Sequence, residues 1–597
     1  MANKERPAVA ATTPSTPRAS GGRKKTSTAS KATQQQQNQQ NQPQDQRKLR
    51  IIPLGGVSEI GKNMTVFEFG DDIIVADVGS MFPGEDMPGV DLVIPDATYL
   101  AKNISRIRGY FITHGHEDHI GAIPYIVKEY PAPVYGTRLT LALIEHKLKE
   151  HRINNAKLNV IRSGDKVRAG CFEVEFIRVG HSIAGAVALA IKTPIGTVVH
   201  TGDFKVDYTP VDEQVIDLGR FAALGNEGVL ALLMDSTNVE RPGYTMSERT
   251  VGETFKNLFA KAEGRIIVAM FASNIHRIQQ VVDSAVRYNR KVCLIGRSMV
   301  NVSKIAIQLG ELKIPEGRLL SPDDIDKYDD DEIVIMTTGS QGEAMSGLTR
   351  MATGEHSKVR VKPTDTVIVS ATPIPGNEKS VSRVINLLMR AGAYVIYESL
   401  AEVHVSGHAC QEELKLIHTL IRPKFFIPVH GEDKHLHHHA RLAVSLGMPA
   451  DCVHIPGTGE IIEINSNKMS VVGNVPSGVV LVDGLGVGDV GAVVLRDRMH
   501  LSQDGLLIVC ISIDRKSGMV VSGPDIVSRG LVYVRESDDL VEGARGAARQ
   551  ALTNFGRIDP SDWGHVKNSV RDAVQRFVYS HIKRSPMILP IIMEVKI

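Results

Sequence analysis

From Leu49 onward the chain runs as short apolar stretches broken by Gly and Asp turns. RIIPLGG, MTVFEF and DIIVADVG follow one another closely, and FEVEFIRVG, GTVVH and LLMD continue the pattern to residue 235. Runs of this length, rich in Ile, Val and Phe, predict β-strands joined by tight turns. Between about 245 and 392 the pattern changes. ERTVGETFKNLFAKA, RIIVAMFAS, HRIQQVVDSAVRY, KVCLIGRS, DEIVIMTTGSQGE, DTVIVSATPIPGN and VSRVINLLMRAG alternate helical and strand periods, which predicts a βαβ insertion built on a parallel sheet. From about 480 a smaller α/β unit is expected. Its strands lie in GLLIVCISID, MVVSGPD, LVYVRES and MILPIIMEVKI, around helices near 538–555 and 561–582. It holds no ligand-rich cluster, so assembly or substrate positioning is its expected role.

Residues 1–48 lack this patterning. They are rich in Ala, Ser, Thr, Pro and Lys/Arg and end in QQQQNQQNQPQ, with almost no large apolar side chains to repay the entropy of folding. They read as a disordered, basic, Gln-rich tail. The formal charge of +2 is unevenly spread: residues 1–50 hold ten Lys/Arg against two acids, a balance of +8, which leaves −6 on the rest. Net charge therefore gives no support for a basic groove in the folded part. The five cysteines are scattered and form no C-x-x-C, so neither a disulfide framework nor a thiolate zinc site is indicated. No stretch approaches the roughly 18 apolar residues of a membrane span, and the N-terminus has no apolar signal core. The expectation is a cytoplasmic protein.

The chemistry concentrates in Thr113–Gly121, THGHEDHIG, which lies between a strand-like RGYFIT and a helix-like AIPYIVKEY. His114 and His116, two apart in extended chain, point the same way. Asp118 and His119 follow where the chain turns into the helix and must point elsewhere. One ion cannot easily use all four, but two ions a few ångströms apart can, each completing its set from further along the chain. The reaction implied is metal-assisted hydrolysis. Asp77, at the end of VADVG, is placed either to hold this loop from behind or to cap a turn.

Further polar residues recur where strands end, and loops at one edge of a sheet sandwich can converge on one point. His181 follows FEVEFIRVG, Asp203 follows GTVVHTG, and Asp235 ends LLMD. His404, His408 and His430 again follow short apolar runs, in HVSGHA and FFIPVHGE. His200 lies within its strand and reads as packed. His435, His437, His438 and His439 fall in a helical-period segment and are expected to fan into solvent. The insertion's strands end in FASNIHR, IGRS, TTGSQGE and TPIPGN, and the carboxyl edge of a parallel sheet is where such folds bind ligands. Backbone amides and hydroxyls there suit phosphate oxygens. No nucleotide-binding Gly-rich motif is present in them.

Taken together, PLGGVSEIGKN, ITHGHEDHIGAIPY, VHTGDFK, DSTN, FASNIHR, TGSQGE, PIPGN, HVSGHA and PVHGE, in this order, resemble the ribonuclease J family. These are bacterial metallo-β-lactamase-fold nucleases of the β-CASP group. HGHEDH alone would indicate only the lactamase superfamily; the later loops narrow the resemblance to RNA. It implies an αββα sandwich interrupted by a β-CASP α/β domain and followed by a small C-terminal α/β domain. The expected boundaries are a tail at 1–48, lactamase parts at 49–245 and 393–470, the β-CASP domain at 246–392, a linker at 471–482 and the C-terminal domain at 483–597.

By the same resemblance, His114, His116 and His181 hold one divalent ion, Asp118, His119 and His430 the other, and Asp203 bridges them. Zinc is the default for such a set, with manganese the alternative. Asp118 orients or deprotonates the attacking water. His408 contacts the scissile phosphate, and Asp235 corresponds to the first acidic motif of the group. His404, Val405, Ser406, Gly407 and His408 form the substrate-binding loop, while Ser273, His276, Ser340, Gln341 and Gly342 line the RNA groove and 5′-phosphate pocket. Asp91 and Asp483 are candidates for a structural cation.

The resemblance thus implies a metal-dependent ribonuclease with 5′-to-3′ exonuclease and endonuclease activity in mRNA decay and rRNA maturation. A homodimer or homotetramer and partners such as a helicase or other nucleases are further expectations. Two rivals share parts of the pattern. A small-molecule or thioester hydrolase has no use for the insertion or for HVSGHA, and a DNA-directed β-CASP nuclease is separated only by competition between RNA and DNA of one sequence.

Overall fold

The computed structural model describes residues 48–596 apart from 85, 344, 375, 485 and 532–537. The expected tail, save Lys48, and the strand expected in LVYVRES, save Leu531, lie outside the described residues.

Two sheets face each other in the first part of the fold. The larger runs, in spatial order, Met469–Asn474, Glu460–Ile464, Leu49–Gly55, Met64–Phe69, Asp72–Ala76, Ile107–Phe111, Val134–Gly136 and Leu158–Val160. The smaller runs Phe425–Val429, Val229–Asp235, Gly196–His200, Val187–Thr193, Phe172–Arg178 and Lys166–Ala169. Alternate residues of both point inward, and Phe67 and Phe111 of one sheet meet Phe172, Phe176 and Leu189 of the other in a shared core. The Phe111 and Phe176 rings stack across the gap with centroids 6.0 Å apart. Helices cover both outer faces. Ile126, Leu139, Ile144 and Leu148 do so on one side, and Phe221, Leu224, Leu414 and Ile417 on the other, completing the αββα sandwich.

The chain leaves this sandwich after Val229–Asp235 and later returns to both sheets. Phe425–Val429 pairs in parallel with Val229–Asp235, and Glu460–Ile464 pairs antiparallel with Leu49–Ile51. Between departure and return lies the parallel six-stranded sheet, ordered Leu319–Leu320, Lys291–Ile295, Ile333–Thr337, Ile266–Ala269, Thr366–Val369 and Tyr394–Tyr397. Its last strand lies past the expected edge at 392, because YVIY pairs with Thr366–Val369. Strand ends of the sandwich and of this sheet both supply loops to the site below.

The stretch 471–482, expected as a linker, departs from that reading. It holds most of Met469–Asn474 and Val479–Asp483, and the latter pairs antiparallel with Leu92–Pro95. Leu481 and Val482 are buried there, so the apolar run GVVLVD is strand rather than connection. Beyond it, an unforeseen helix, Ala492–Asp504, leads to the sheet Val520–Arg529, Leu506–Asp514, Met587–Val595. Helices Asp538–Thr553 and Trp563–Ile582 cover one face, with Val566, Val570, Val574 and Val578 in a four-residue period against Leu507, Val509 and Ile511. Among the described residues, no helix is long and apolar enough to cross a membrane.

Candidate metal centre

The loop after Ile107–Phe111 delivers His114 and His116, and a one-turn helix, Glu117–Ile120, carries Asp118 and His119. His181, Asp203 and His430 arrive from the ends of Phe172–Arg178, Gly196–His200 and Phe425–Val429. Two sets of donors result, each lying within 4.8 Å: His114, His116, His181 and Asp203, and Asp118, His119, His430 and Asp203. In the first, His114 Nε2 and His116 Nδ1 are 3.0 Å apart, and His181 Nε2 is 3.1 Å from the same Nδ1. Asp203 Oδ2 is 3.7 Å from His114 Nε2 and 3.8 Å from His181 Nε2. In the second, His119 Nε2 lies 3.5 Å from Asp118 Oδ2 and 3.2 Å from Asp203 Oδ2, and His430 Nε2 lies 3.2 Å from Asp118 Oδ2.

These spacings suit coordination. Donors about 2.0–2.2 Å from one ion at tetrahedral angles stand roughly 3.4 Å apart. In the first set both short contacts meet at His116 Nδ1, and all four donor atoms lie within 4.8 Å of one another.

The charges agree. Burial holds His114 and His181 well below the ordinary imidazole value and takes His116 down to about 4, so these rings offer lone pairs rather than protons. For His119 and His430, burial also opposes the charged form but is outweighed by carboxylates, chiefly Asp203, and His430 is pushed up to about 10. Asp118 and Asp203 lie well below the usual carboxylate range despite burial, held there by His119 and His430. Every ion pair of Asp77, Asp118, Asp203 and Asp235 among the described residues is with a histidine. Such a nest calls for positive charge, and divalent cations fit both its donors and its sign.

Neighbouring groups aim the rings. Asp77, in left-handed backbone at φ 59°, accepts from Thr113 N, Thr113 Oγ1 and His119 Nδ1, each at 2.8 Å, which leaves His119 Nε2 for the centre. The carboxylate therefore braces the histidine loop. His181 Nδ1 donates to Gly407 O at 2.7 Å, and Thr237 Oγ1 meets His430 Nδ1 at 2.7 Å. His200, buried as expected, accepts from Gly202 N through Nδ1 at 3.0 Å.

A third convergence joins Asp203, Asp235, His408 and His430. It is a hydrogen-bond network: Asp235 Oδ2 lies 2.7 Å from His408 Nδ1, and its Oδ1 accepts from Thr237 N and Oγ1 at 2.9 and 2.8 Å. Burial opposes charge on His408, but Asp235 raises its pKa above the ordinary value. The His408 side chain is 20% exposed and that of Asp118 30%, against 0% for His114, so the centre opens on their side.

In the loop around His408, exposure alternates as in extended chain. His404, Ser406 and His408 are half-buried, while Val405 and Gly407 turn inward. Val405 packs in the core, and Gly407 presents its carbonyl to His181. His404 Nδ1 meets Thr372 Oγ1 at 2.9 Å. Burial, then the charges of Arg277, Arg241 and Lys205, hold its ring well below the ordinary value, so the surroundings favour an anion.

The insertion's candidates separate. Gln341 is buried and braces a neighbouring loop, donating to Thr372 O at 2.9 Å and accepting from Ile374 N at 2.7 Å. Ser340 is buried beside it, and Gly342 adopts φ 75°. Ser273 is half-buried before the helix Ile275–Arg287. His276 lies apart from these, 3.6 Å from Asp212, and lines a cleft with His181, Lys205 and Glu248. Its neighbour Arg277, overlooked in the sequence, is 1% exposed, grips Glu248 at 2.7 and 2.9 Å, and donates to Ser370 O and Val405 O. An arginine on the apolar stripe Ile278, Val281, Val282 and Ala285 was the available signal.

Two expectations find different surroundings. Asp91 accepts from Gly484 N at 2.8 Å and Asp483 pairs with Arg498, and the pair joins no group of three or more potential ligands among the described residues. Of the four histidines in the helix Asp433–Ser445, only His437 and His438 are exposed. His435 and His439, four apart, share its inner face, and His439 bonds Ser236 Oγ at 2.9 Å.

The sandwich, its parallel-sheet insertion and the twin donor sets define a hydrolase of the metallo-β-lactamase type with a β-CASP domain. Four family models match: the metallo-β-lactamase superfamily over 59–224, the ribonuclease J β-CASP domain over 263–388, a Zn-dependent metallo-hydrolase RNA specificity domain over 395–455, and the ribonuclease J C-terminal domain over 493–595. The chain is 44% identical to ribonuclease J2 of Bacillus subtilis, over 92% of this chain and 100% of that protein. It is also 44% identical to ribonuclease J of Thermus thermophilus, over 92% of this chain and 96% of that one. A solved protein of unknown function from Enterococcus faecalis shares the fold over 70% of this chain and 100% of its own, with a TM-score of 0.50 and 16% identity. The chain belongs to the ribonuclease J family.

Proposed function

We propose that this metal-dependent ribonuclease binds two divalent ions, zinc by default, and hydrolyses RNA both from the 5′ end and internally, in mRNA decay and rRNA maturation. The observation that carries the reading is the meeting of two donor sets at Asp203, beside a histidine oriented by Asp235. His114, His116 and His181 would hold one ion, Asp118, His119 and His430 the other, and Asp203 both. When bound, the pair supplies an activated water and positive charge for the phosphate.

The chain's own groups do the rest. Asp118, on the open side of the centre, orients the water and takes its proton. Asp235 holds His408 Nδ1, so Nε2 is the nitrogen left to meet the scissile phosphate and steady its developing charge. His404 and Ser406, on the same side of their loop, bind a neighbouring phosphate in the field of Arg277, Arg241 and Lys205. Assembly as a homodimer or homotetramer in the cytoplasm accompanies this reading.

The test is digestion of one RNA sequence carrying a 5′-monophosphate or a 5′-triphosphate by metal-repleted protein, with products read from both ends and the DNA of that sequence as competitor. Mononucleotides from the 5′ end together with internal cuts support the reading. Equal cleavage of the DNA would move the assignment to a DNA-directed nuclease.

A further inference from the structure

Glu413 lies in the first turn of the helix Gln411–Ile421, at the position where a glutamate reaches back to the amide before its helix. It does so, accepting from Cys410 N at 2.8 Å through Oε2. A helix cap needs no more. Yet Glu413 is 0% exposed, and the same oxygen also accepts from Thr245 N at 2.7 Å, while Oε1 accepts from Val206 N at 2.7 Å. Three amides from segments far apart in sequence thus converge on one carboxylate.

Each of those segments borders the candidate centre. Val206 is three residues beyond Asp203, Cys410 is two beyond His408, and Thr245 lies on the way into the inserted domain. Thr245 closes the circuit, because its Oγ1 donates to the carbonyl of His408 at 2.7 Å, where Asn238 Nδ2 also donates at 3.0 Å. The backbone of His408 is therefore held from the carbonyl side by Thr245, itself held by Glu413, and from the next turn by Glu413 directly. The ring is aimed separately, by Asp235.

We propose that Glu413 is a positioning residue for His408: its carboxylate fixes the height and tilt of the His408 backbone relative to the Asp203 loop. The inference rests on the role proposed above for His408. A carboxylate can accept at both oxygens, whereas a carboxamide presents an NH2 on one side. In Glu413→Gln the amide oxygen can serve Thr245 and Cys410, and the NH2 then faces the N–H of Val206. The result is a small displacement in a place where about 1 Å costs roughly 100-fold in rate.

The experiment is a double-mutant cycle on the full-length, metal-repleted protein, with Glu413→Gln, His408→Ala and both together. Metal content, thermal stability and single-turnover cleavage of a short 5′-monophosphorylated RNA are read on each. Glu413→Gln is expected to keep the unmodified metal content, to lower kcat about 10–100-fold and to change KM less than about threefold. In the His408→Ala background the same change should lower kcat by less than about threefold, since the group it positions is gone. A merely structural role would multiply the two losses, and that result overturns the proposal, as does loss of metal from Glu413→Gln. Should Glu413→Gln fail to fold, Thr245→Val removes the hydroxyl that donates to His408 O and also lies 3.3 Å from Cys410 Sγ, and must show the same non-additivity. Unimpaired turnover by His408→Ala would overturn the reading of His408 and the positioning role with it. A strong loss there with multiplicative Glu413→Gln overturns the positioning role alone.

Discussion

His181 donates its Nδ1 proton to the carbonyl of Gly407 at 2.7 Å, across 226 positions of sequence. The contact joins a candidate ligand of the lactamase sandwich to the loop that carries His408, so that loop also sets the tautomer of a ring in the candidate metal centre. The donor set and the His408 loop are thus mechanically one structure.

Gly407 tests that joint. A Cβ there would stand 2.7 Å from both Cε1 and Nδ1 of His181 and 2.9 Å from Ser182 Oγ, closer than real contacts allow. Gly407→Ala should push the ring off its line and weaken metal binding about 10–100-fold, the range for disturbing a group that orients a ligand. Competition against a zinc-sensitive dye measures it. Unaltered affinity in the folded variant would rule out the orienting role.

Asp203 faces both donor sets, so its removal should affect two ions where other ligand changes affect one. Asp203→Ala is expected to lose both ions on dialysis and to be inactive at saturating zinc or manganese, while remaining folded. Elemental analysis and cleavage on one preparation check this, and full activity under those conditions would exclude the shared-ligand arrangement.

Stability can be tested away from the centre. Arg265 and Asp365, both buried, meet through Nε–Oδ1 at 3.0 Å and Nη2–Oδ2 at 2.8 Å under the parallel sheet. Asp365→Ala leaves the guanidinium buried without its charge partner, and breaking such a pair costs about 3–5 kcal/mol. Denaturant unfolding of that variant should show the loss, with the metal content of the folded protein unchanged. A change below about 1 kcal/mol would mean that water reaches the site and compensates.

What the sequence shows of this centre follows from range. His114, His116, Asp118 and His119 are legible because local spacing alone orients them, and strand-end placement adds His181, Asp203, Asp235 and His430. The choice of ring nitrogen is not legible, since it depends on partners such as Gly407 O and Thr237 Oγ1 that only the folded chain supplies. Val405 and Gly407 share a short motif with His404 and His408, and their burial follows from two-residue alternation that the motif itself does not display. Glu413 was overlooked because a buried charge looks in sequence like an exposed one, whereas for Arg277 the apolar stripe it sits on was a signal left unread. The same helical period that exposes His437 and His438 buries His435 and His439.

The most discriminating comparison is between His408 and His430, whose rings stack with centroids 5.4 Å apart and 17° between their planes. His430 Nε2 faces Asp118 at 3.2 Å, within a donor set, whereas the Nδ1 of His408 is committed to Asp235 at 2.7 Å. His408→Ala should therefore keep both metal ions and lower kcat by about 10²–10³, the scale for removing one group that stabilises developing charge. Its effect on RNA binding should be smaller, because the contact strengthens as the phosphate gains charge. His430→Ala should lose metal together with activity, as removal of a ligand must. Metal analysis and single-turnover cleavage on the same preparations separate the two. If the His408 variant lost an ion while the His430 variant kept two, the roles would be exchanged, and the hydrogen bond to Asp235 would mark a metal ligand rather than a group reserved for the phosphate.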